Sequence, residues 1–97
     1  TANFKNLKIN IITKKVLRDN IEIKLGPIEY NLIDFFIKSP QRVYSREQLL
    51  NNVWGDNINV ESRTVDVHIR RLRKAINFEN KIDLIRTVRS SGYSLDS

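Results

Sequence analysis

The sequence predicts an α+β domain in which an N-terminal antiparallel sheet precedes three helices and a C-terminal β-hairpin. Two observations lead to this prediction. Apolar and polar residues alternate near both ends of the chain, and between them apolar residues recur at helical spacing in three segments. With 97 residues, 40% of them hydrophobic, the chain has the size and composition of one small domain with a modest core. We therefore expect residues 1–97 to form a single domain.

The N-terminal segment is predicted to form strands. Apolar and polar residues alternate over Leu7–Ile11 and again over Ile21–Leu25, and residues 18–20 separate the two stretches as a turn. Such alternation is typical of an antiparallel sheet with one solvated face. Gly26 ends the sheet, and Pro27 begins a helix because proline is tolerated in a first helical turn.

Two core helices are predicted next. The first ends at Ser39-Pro40. Its apolar stripe consists of Ile28, Leu32, Phe35 and Phe36. Val43-Tyr44 is too short for a strand of its own but is suited to docking on a sheet edge. Ser45 and Gln48 have the spacing of a capping box that starts the second helix, and Gly55 ends it. The apolar side of this helix consists of Leu49, Leu50, Val53 and Trp54.

A third helix, over about residues 62–77, carries the strongest functional signal. One stripe of this helix is apolar and consists of Val65, Ile69, Leu72 and Ile76. The opposite face places one apolar side chain among four cations: Arg63, Val67, Arg70, Arg71 and Lys74. In a DNA major groove, arginines meet phosphates or guanine edges, and a branched apolar group contacts a thymine methyl. The alternative is an ordinary charged surface helix, which seldom has a valine in the middle of its solvated face.

The positive charge of the chain is concentrated around this helix. The whole sequence has 17 Lys and Arg against 11 Asp and Glu, a net charge of +6. Residues 62–89 hold eight of the cations and three of the anions, which gives +5. A localised basic patch predicts a polyanionic partner. Duplex DNA is favoured because the helix has no aromatic residue for stacking single strands, and because the major groove of duplex RNA is too narrow for a helix.

Several other classes of protein are disfavoured by the composition. The chain has no cysteine, one histidine and three glycines, so a disulfide framework, a thiolate metal site, most catalytic triads and a glycine-rich phosphate loop have no candidates. We expect a protein that is not an enzyme and that uses no metal or cofactor. No apolar run approaches the roughly 20 residues that span a bilayer, and no signal peptide is visible. We expect no membrane partner, a cytoplasmic location and, because the chain begins with Thr1, a piece of a larger protein.

The last predicted element is a hairpin over residues 84–95, with residues 89–92 as its turn and Gly92 available for a positive φ. The order sheet, helix, helix, loop, basic helix and hairpin is the plan of a winged helix-turn-helix. In that plan the basic helix enters the major groove, and Arg89 at the hairpin tip suits a narrow minor groove. The alternative function is a winged-helix module that binds a protein or RNA without reading DNA sequence.

Several segments also resemble a known family. They are Val43–Leu50, Val53–Gly55, the basic helix, Thr87–Arg89 and Gly92-Tyr93. They closely resemble the C-terminal effector domain of OmpR/PhoB-type response regulators, and within that family the PhoB-like activators of the phosphate regulon. The resemblance implies a winged helix with a four-stranded N-terminal sheet, acting in a two-component regulatory system. It implies tandem binding of two copies to direct-repeat promoter sites, a monomer when isolated, and control by a separate N-terminal receiver domain that this chain lacks.

The resemblance also implies roles for individual residues. It places Val67 and Arg71 against bases and Arg89 in the minor groove. Asp66 is suited either to accept from a cytosine amino group or to orient a neighbouring arginine. Backbone contacts are implied for Trp54, Arg63, Thr64, His68, Arg70, Arg73 and Thr87, and Lys74 on the same cationic face is expected to join them.

One loop and one substitution complete the comparison with the family. The loop between the second and third helices is expected to face RNA polymerase holoenzyme, and its residues are Gly55, Asp56, Asn57, Ile58, Asn59 and Val60. The alternative is that Ile58 and Val60 pin this loop to the core. Ser90 follows the wing arginine at a position where the family usually has glycine.

Overall fold

The computed structural model describes residues 1–55 and 60–96 and has the α+β winged-helix architecture that the sequence predicts. Four N-terminal strands form an antiparallel sheet in chain order: β1 (Ala2–Phe4), β2 (Leu7–Asn10), β3 (Lys15–Arg18) and β4 (Ile21–Ile23). Three helices follow: α1 (Pro27–Ile37), α2 (an α-helical turn, Arg46–Leu49, continued by a π-helical turn, Leu50–Trp54) and α3 (Arg63–Ile76). The strands β5 (Ile85–Val88) and β6 (Gly92–Leu95) form the C-terminal hairpin, or wing.

The turn predicted at residues 18–20 is correct for two residues and wrong for the third. Asp19 and Asn20 both adopt positive φ and join β3 to β4. Arg18 instead ends β3, pairs with Leu7 of β2 and is only 2% exposed. The pattern had missed β3 because Val16 and Leu17 are adjacent apolar residues and break the alternation.

Helices α1 and α2 largely confirm the predicted boundaries. The buried face of α1 differs from the predicted stripe in two positions on each side. Ile33 and Ile37 are buried together with Leu32 and Phe36, whereas Ile28 and Phe35 are only half-buried. The capping box that starts α2 is present: the Ser45 side chain accepts from the Gln48 amide nitrogen, and the Gln48 side chain accepts from that of Ser45. Gly55 ends α2 with a φ of 93°, as expected of a glycine stop.

The wing is attached to the rest of the fold through Tyr44. The amide nitrogen of Tyr44 donates to the Tyr93 carbonyl at 2.9 Å, and that of Tyr93 donates back to the Tyr44 carbonyl at 3.0 Å. The predicted docking of Val43-Tyr44 on a sheet edge is therefore confirmed at Tyr44. One core joins the sheet, the three helices and the wing.

Candidate nucleic-acid interface

Helix α3 has the two faces that its sequence predicts. Val65, Ile69, Leu72 and Ile76 are the four buried residues of the helix, each at most 1% exposed. The opposite face is exposed along its whole length and consists of Arg63, Val67, Arg70, Arg71 and Lys74. Val67 is 47% exposed in the middle of these cations, so an apolar side chain is presented to solvent at the centre of a basic surface.

The cations of this face keep their charge available. Arg63 forms an ion pair with Glu61 at 2.6 Å, but both side chains are more than two-thirds exposed, and such pairs are weak in water. Within residues 1–55 and 60–96, no carboxylate lies within 4 Å of the charged nitrogens of Arg70, Arg71 or Lys74. The exposed face of α3 is therefore suited to a polyanion, which would provide the missing negative charges.

On one flank of this face, His68 is held by Glu29 of α1. The His68 Nδ1 lies 2.6 Å from the Glu29 Oε1, and their side chains are 17% and 9% exposed. The indole ring of Trp54 meets the imidazole edge-on, with the two ring centroids 5.4 Å apart. Two of the expected phosphate contacts, Trp54 and His68, are thus packed together at the junction of the three helices. No local pattern predicts the contact between Glu29 and His68, because the two residues are 39 positions apart.

On the opposite flank, Asp66 joins α3 to both α2 and the wing. Its Oδ1 accepts from the Arg46 Nε at 2.8 Å and from the hydroxyl of Tyr93. Burial alone would raise the pKa of Asp66, but the hydrogen bonds from Tyr93 and Arg46 outweigh it and hold this pKa below its usual value. Burial, followed by the Asp66 carboxylate, raises the pKa of the Tyr93 hydroxyl. Asp66 is therefore an ionised carboxylate that is bonded to two side chains of the protein and lies beside the exposed face of α3.

Arg73 makes a second attachment between α3 and the wing. Its Nη2 donates to the Ile85 carbonyl at 2.8 Å and to the Thr87 hydroxyl, both on β5. Its guanidinium carbon lies 5.5 Å from the centroid of the Tyr93 ring, and that of Arg46 lies 5.6 Å from the same centroid. We call Arg46, Asp66, Arg73, Thr87 and Tyr93 the helix–wing network. Three residues that are expected to contact DNA, Asp66, Arg73 and Thr87, thus form hydrogen bonds that join α3 to α2 and to the wing.

The wing tip presents Arg89 to solvent. Arg89 is exposed and is followed by Ser90, which has a φ of 67°, and a bond from the Ser91 amide nitrogen to the Val88 carbonyl closes the turn. Ser90 therefore adopts the left-handed conformation that glycine takes more readily at such a position. The tight turn is kept although the glycine usual in the family is absent.

The loop expected to face polymerase lies largely outside the described residues. Asp56, Asn57, Ile58 and Asn59 are the four positions concerned. Gly55 on one side of them is exposed, and Val60 on the other is 36% exposed. Val60 thus does not pin the loop to the core. Over the described residues, no helix is long and apolar enough to cross a membrane, and no group of three potential metal ligands is present.

Comparison with known proteins gives consistent matches. Residues 20–95 match the family described as "Transcriptional regulatory protein, C terminal". The chain is 53% identical over 92 residues to the phosphate regulon transcriptional regulatory protein PhoB of Rhizobium meliloti. The match covers 95% of this chain but 40% of that protein. The chain therefore spans about two-fifths of the length of this relative.

Solved structures of response-regulator domains also match. The DNA-binding domain of the response regulator AdeR, solved in complex with an intercistronic region, is 34% identical with a TM-score of 0.89, and the match covers 98% of both chains. The DNA-binding domain of RstA from Klebsiella pneumoniae, in complex with the RstA box, is 26% identical with a TM-score of 0.84. That match covers 97% of this chain and 94% of the other.

Proposed function

The chain belongs to the family of C-terminal transcriptional regulatory domains, and on that premise we propose that it binds duplex DNA sequence-specifically as the effector domain of a two-component transcriptional regulator. The observation that carries this proposal is the exposed face of α3, where Val67 stands among cations of which Arg70, Arg71 and Lys74 have no carboxylate within 4 Å along the described chain. The named DNA complexes of AdeR and RstA support it. They also make a protein-binding or RNA-binding module the weaker alternative.

In this proposal α3 lies in the major groove and the wing reaches the adjacent minor groove. Val67 and Arg71 read bases, and Arg89 enters the minor groove. Phosphates are bound from the face and rim of the helix by Arg63, Thr64, Arg70 and Lys74. Trp54 and His68 approach the phosphate backbone from the flank on which they pack, and Arg73 and Thr87 do so from the wing side. For Asp66, its bonds to Arg46 and Tyr93 favour the orienting role over contact with a cytosine.

The proposal extends to a larger protein and its partners. We infer that the chain is the effector part of a cytoplasmic regulator that also has a receiver domain, because it spans about two-fifths of a PhoB relative. Two copies would bind direct-repeat promoter sites in tandem, the isolated domain being monomeric. The loop from Gly55 to Val60 would face RNA polymerase, and the exposure of both flanking residues supports this.

Affinity for duplex DNA is expected to fall steeply with salt. If the cations of residues 62–89 neutralise five or six phosphates, the logarithm of the binding constant should fall against the logarithm of salt concentration with a slope of about −5. Fluorescence anisotropy with a labelled duplex over a series of potassium chloride concentrations measures this slope. A slope near zero would contradict binding through the basic face.

The Arg71→Ala variant is expected to lose sequence discrimination. The Arg63→Ala variant is expected to lose affinity without losing sequence discrimination. Arg71→Ala should cost about 1–3 kcal/mol and relax the preference at one base pair, because a base-edge contact is lost. Arg63→Ala should weaken binding to all sequences alike, as loss of a phosphate contact does. Both variants are measured on a panel of single-base changes in a duplex selected from random sequences by the wild-type domain. An unchanged sequence preference in Arg71→Ala would show that the base-reading residues were wrongly assigned.

A further inference from the structure

The two attachments between α3 and the wing meet on a single rung of the hairpin. Thr87 of β5 and Tyr93 of β6 are direct partners in the antiparallel register. Side chains of such partners lie on the same face of the strands. The Thr87 hydroxyl accepts from Arg73, and the Tyr93 hydroxyl donates to Asp66. Because Asp66 and Arg73 are seven residues apart, nearly two helical turns, the rung is held at two separated points along α3.

The same rung is fixed on its other side and lies close to the wing tip. The backbone of Tyr93 is bound in both directions to Tyr44, and its side chain is 5% exposed between the guanidinium groups of Arg46 and Arg73. The next rung, Val88 with Gly92, leads directly to the turn that presents Arg89. The direction of Arg89 therefore depends on a rung whose two side chains are bound to α3.

We propose that the helix–wing network couples the two DNA contacts, so that Arg71 in the major groove and Arg89 in the minor groove bind cooperatively, with Tyr93 and Asp66 as positioning residues. This inference rests on the proposed function. Each contact made by one element limits the freedom of the other, so part of the ordering needed for the second contact is already achieved when the first has formed. Groups joined through one hydrogen-bond network generally show such non-additive effects.

A double-mutant cycle tests the coupling. Dissociation constants are measured for the wild-type domain, Arg71→Ala, Arg89→Ala and the double variant, on one duplex selected from random sequences and given an A/T-rich flank. We expect the double variant to lose less affinity than the product of the two single losses, by about threefold or more. The reason is that each single variant has already lost the cooperative part.

The same cycle is repeated in a Tyr93→Phe background. This substitution removes only the hydroxyl that donates to Asp66, and it keeps the ring between the two arginines and the backbone bonds to Tyr44. The two losses should then multiply. Tyr44→Phe is the matched control: it removes a hydroxyl from another buried tyrosine outside the network, and the coupling should remain. A role of Tyr93 in stability alone would lower the melting temperature and leave the coupling as in the wild type.

Each further outcome has a definite meaning. Independent losses in the wild type, or full coupling in Tyr93→Phe, would overturn the inference while leaving DNA binding intact. Failure of the wild-type domain to select any duplex from random sequences would overturn the proposed function itself. If Tyr93→Phe does not fold by circular dichroism, Thr87→Val replaces it, since valine keeps the branched shape on β5 and removes the acceptor for Arg73. Coupling that persists unchanged in Thr87→Val would then contradict the proposal.

Discussion

The Gly92→Ala variant is expected to lose more than about 4 kcal/mol of unfolding free energy, enough to leave a domain of this size largely or entirely unfolded. Gly92 has a φ of 135°, which side-chain-bearing residues rarely adopt. A β-carbon at this position would also lie 1.9 Å from the carbonyl oxygen of Tyr44. Tyr44 cannot retreat, because its backbone is bound in both directions to Tyr93. Urea unfolding followed by circular dichroism measures the loss.

Gly55→Ala separates the two causes of this effect. Gly55 also has a positive φ, 93°, but among the described residues no heavy atom outside its chain neighbours lies within 4 Å of the position that its β-carbon would take. This variant should show the backbone strain alone, about 1–3 kcal/mol. Equal losses in the two variants would mean that the clash with the Tyr44 carbonyl adds nothing to the cost of Gly92→Ala beyond backbone strain.

The faces of α3 follow from sequence because they depend on local periodicity. Every residue of the predicted apolar stripe, from Val65 to Ile76, is buried, and Val67 is exposed among the cations. Turn and cap signals succeed for the same reason: Asp19-Asn20, Ser45 with Gln48, and Gly55 act on backbone groups within a few residues. Short-range physical chemistry therefore accounts for the order of the elements and the orientation of the candidate interface.

The contacts that hold the interface in place do not follow from sequence. Asp66 and Tyr93 are 27 residues apart, and Glu29 and His68 are 39 apart. No local rule pairs them, because each pair meets only after the helices and the wing have packed. The π-helical turn of α2 is likewise not predicted by local pattern. Leu50, Val53 and Trp54 have a spacing that is also compatible with an α-helix, and tertiary packing selects the wider π-helical turn. The exposed face of α3 is thus predictable from local pattern, whereas the long-range contacts that support it are not.

Arg18 is the clearest example of a residue whose long-range contacts do not follow from local sequence pattern. The Arg18→Met variant is expected to lose about 3 kcal/mol or more of unfolding free energy. Its guanidinium donates to the Asn6 side chain at 2.9 Å, to the Ile76 carbonyl at 2.7 Å, to the Asn77 side chain at 2.6 Å and to the Ile82 carbonyl at 2.7 Å. Burial lowers the pKa of Arg18, although Asp19 and Asp83 oppose this effect. Methionine fills most of the volume but leaves these acceptors without their donor. Urea unfolding again measures the loss.

The consequence of Arg18→Met should reach helix α3, because Ile76 is the last residue of α3 and its carbonyl is one of the groups that a helix end leaves unpaired. Amide hydrogen exchange at the end of α3, around Arg73 and Lys74, should therefore speed up more than exchange in α1. The matched control is Lys24→Met, which also replaces a cation with methionine but breaks only an exposed pair with Glu22. It should cost less than about 1 kcal/mol. If Arg18→Met were as mild as this control, the N-terminal sheet would not be what fixes the end of α3.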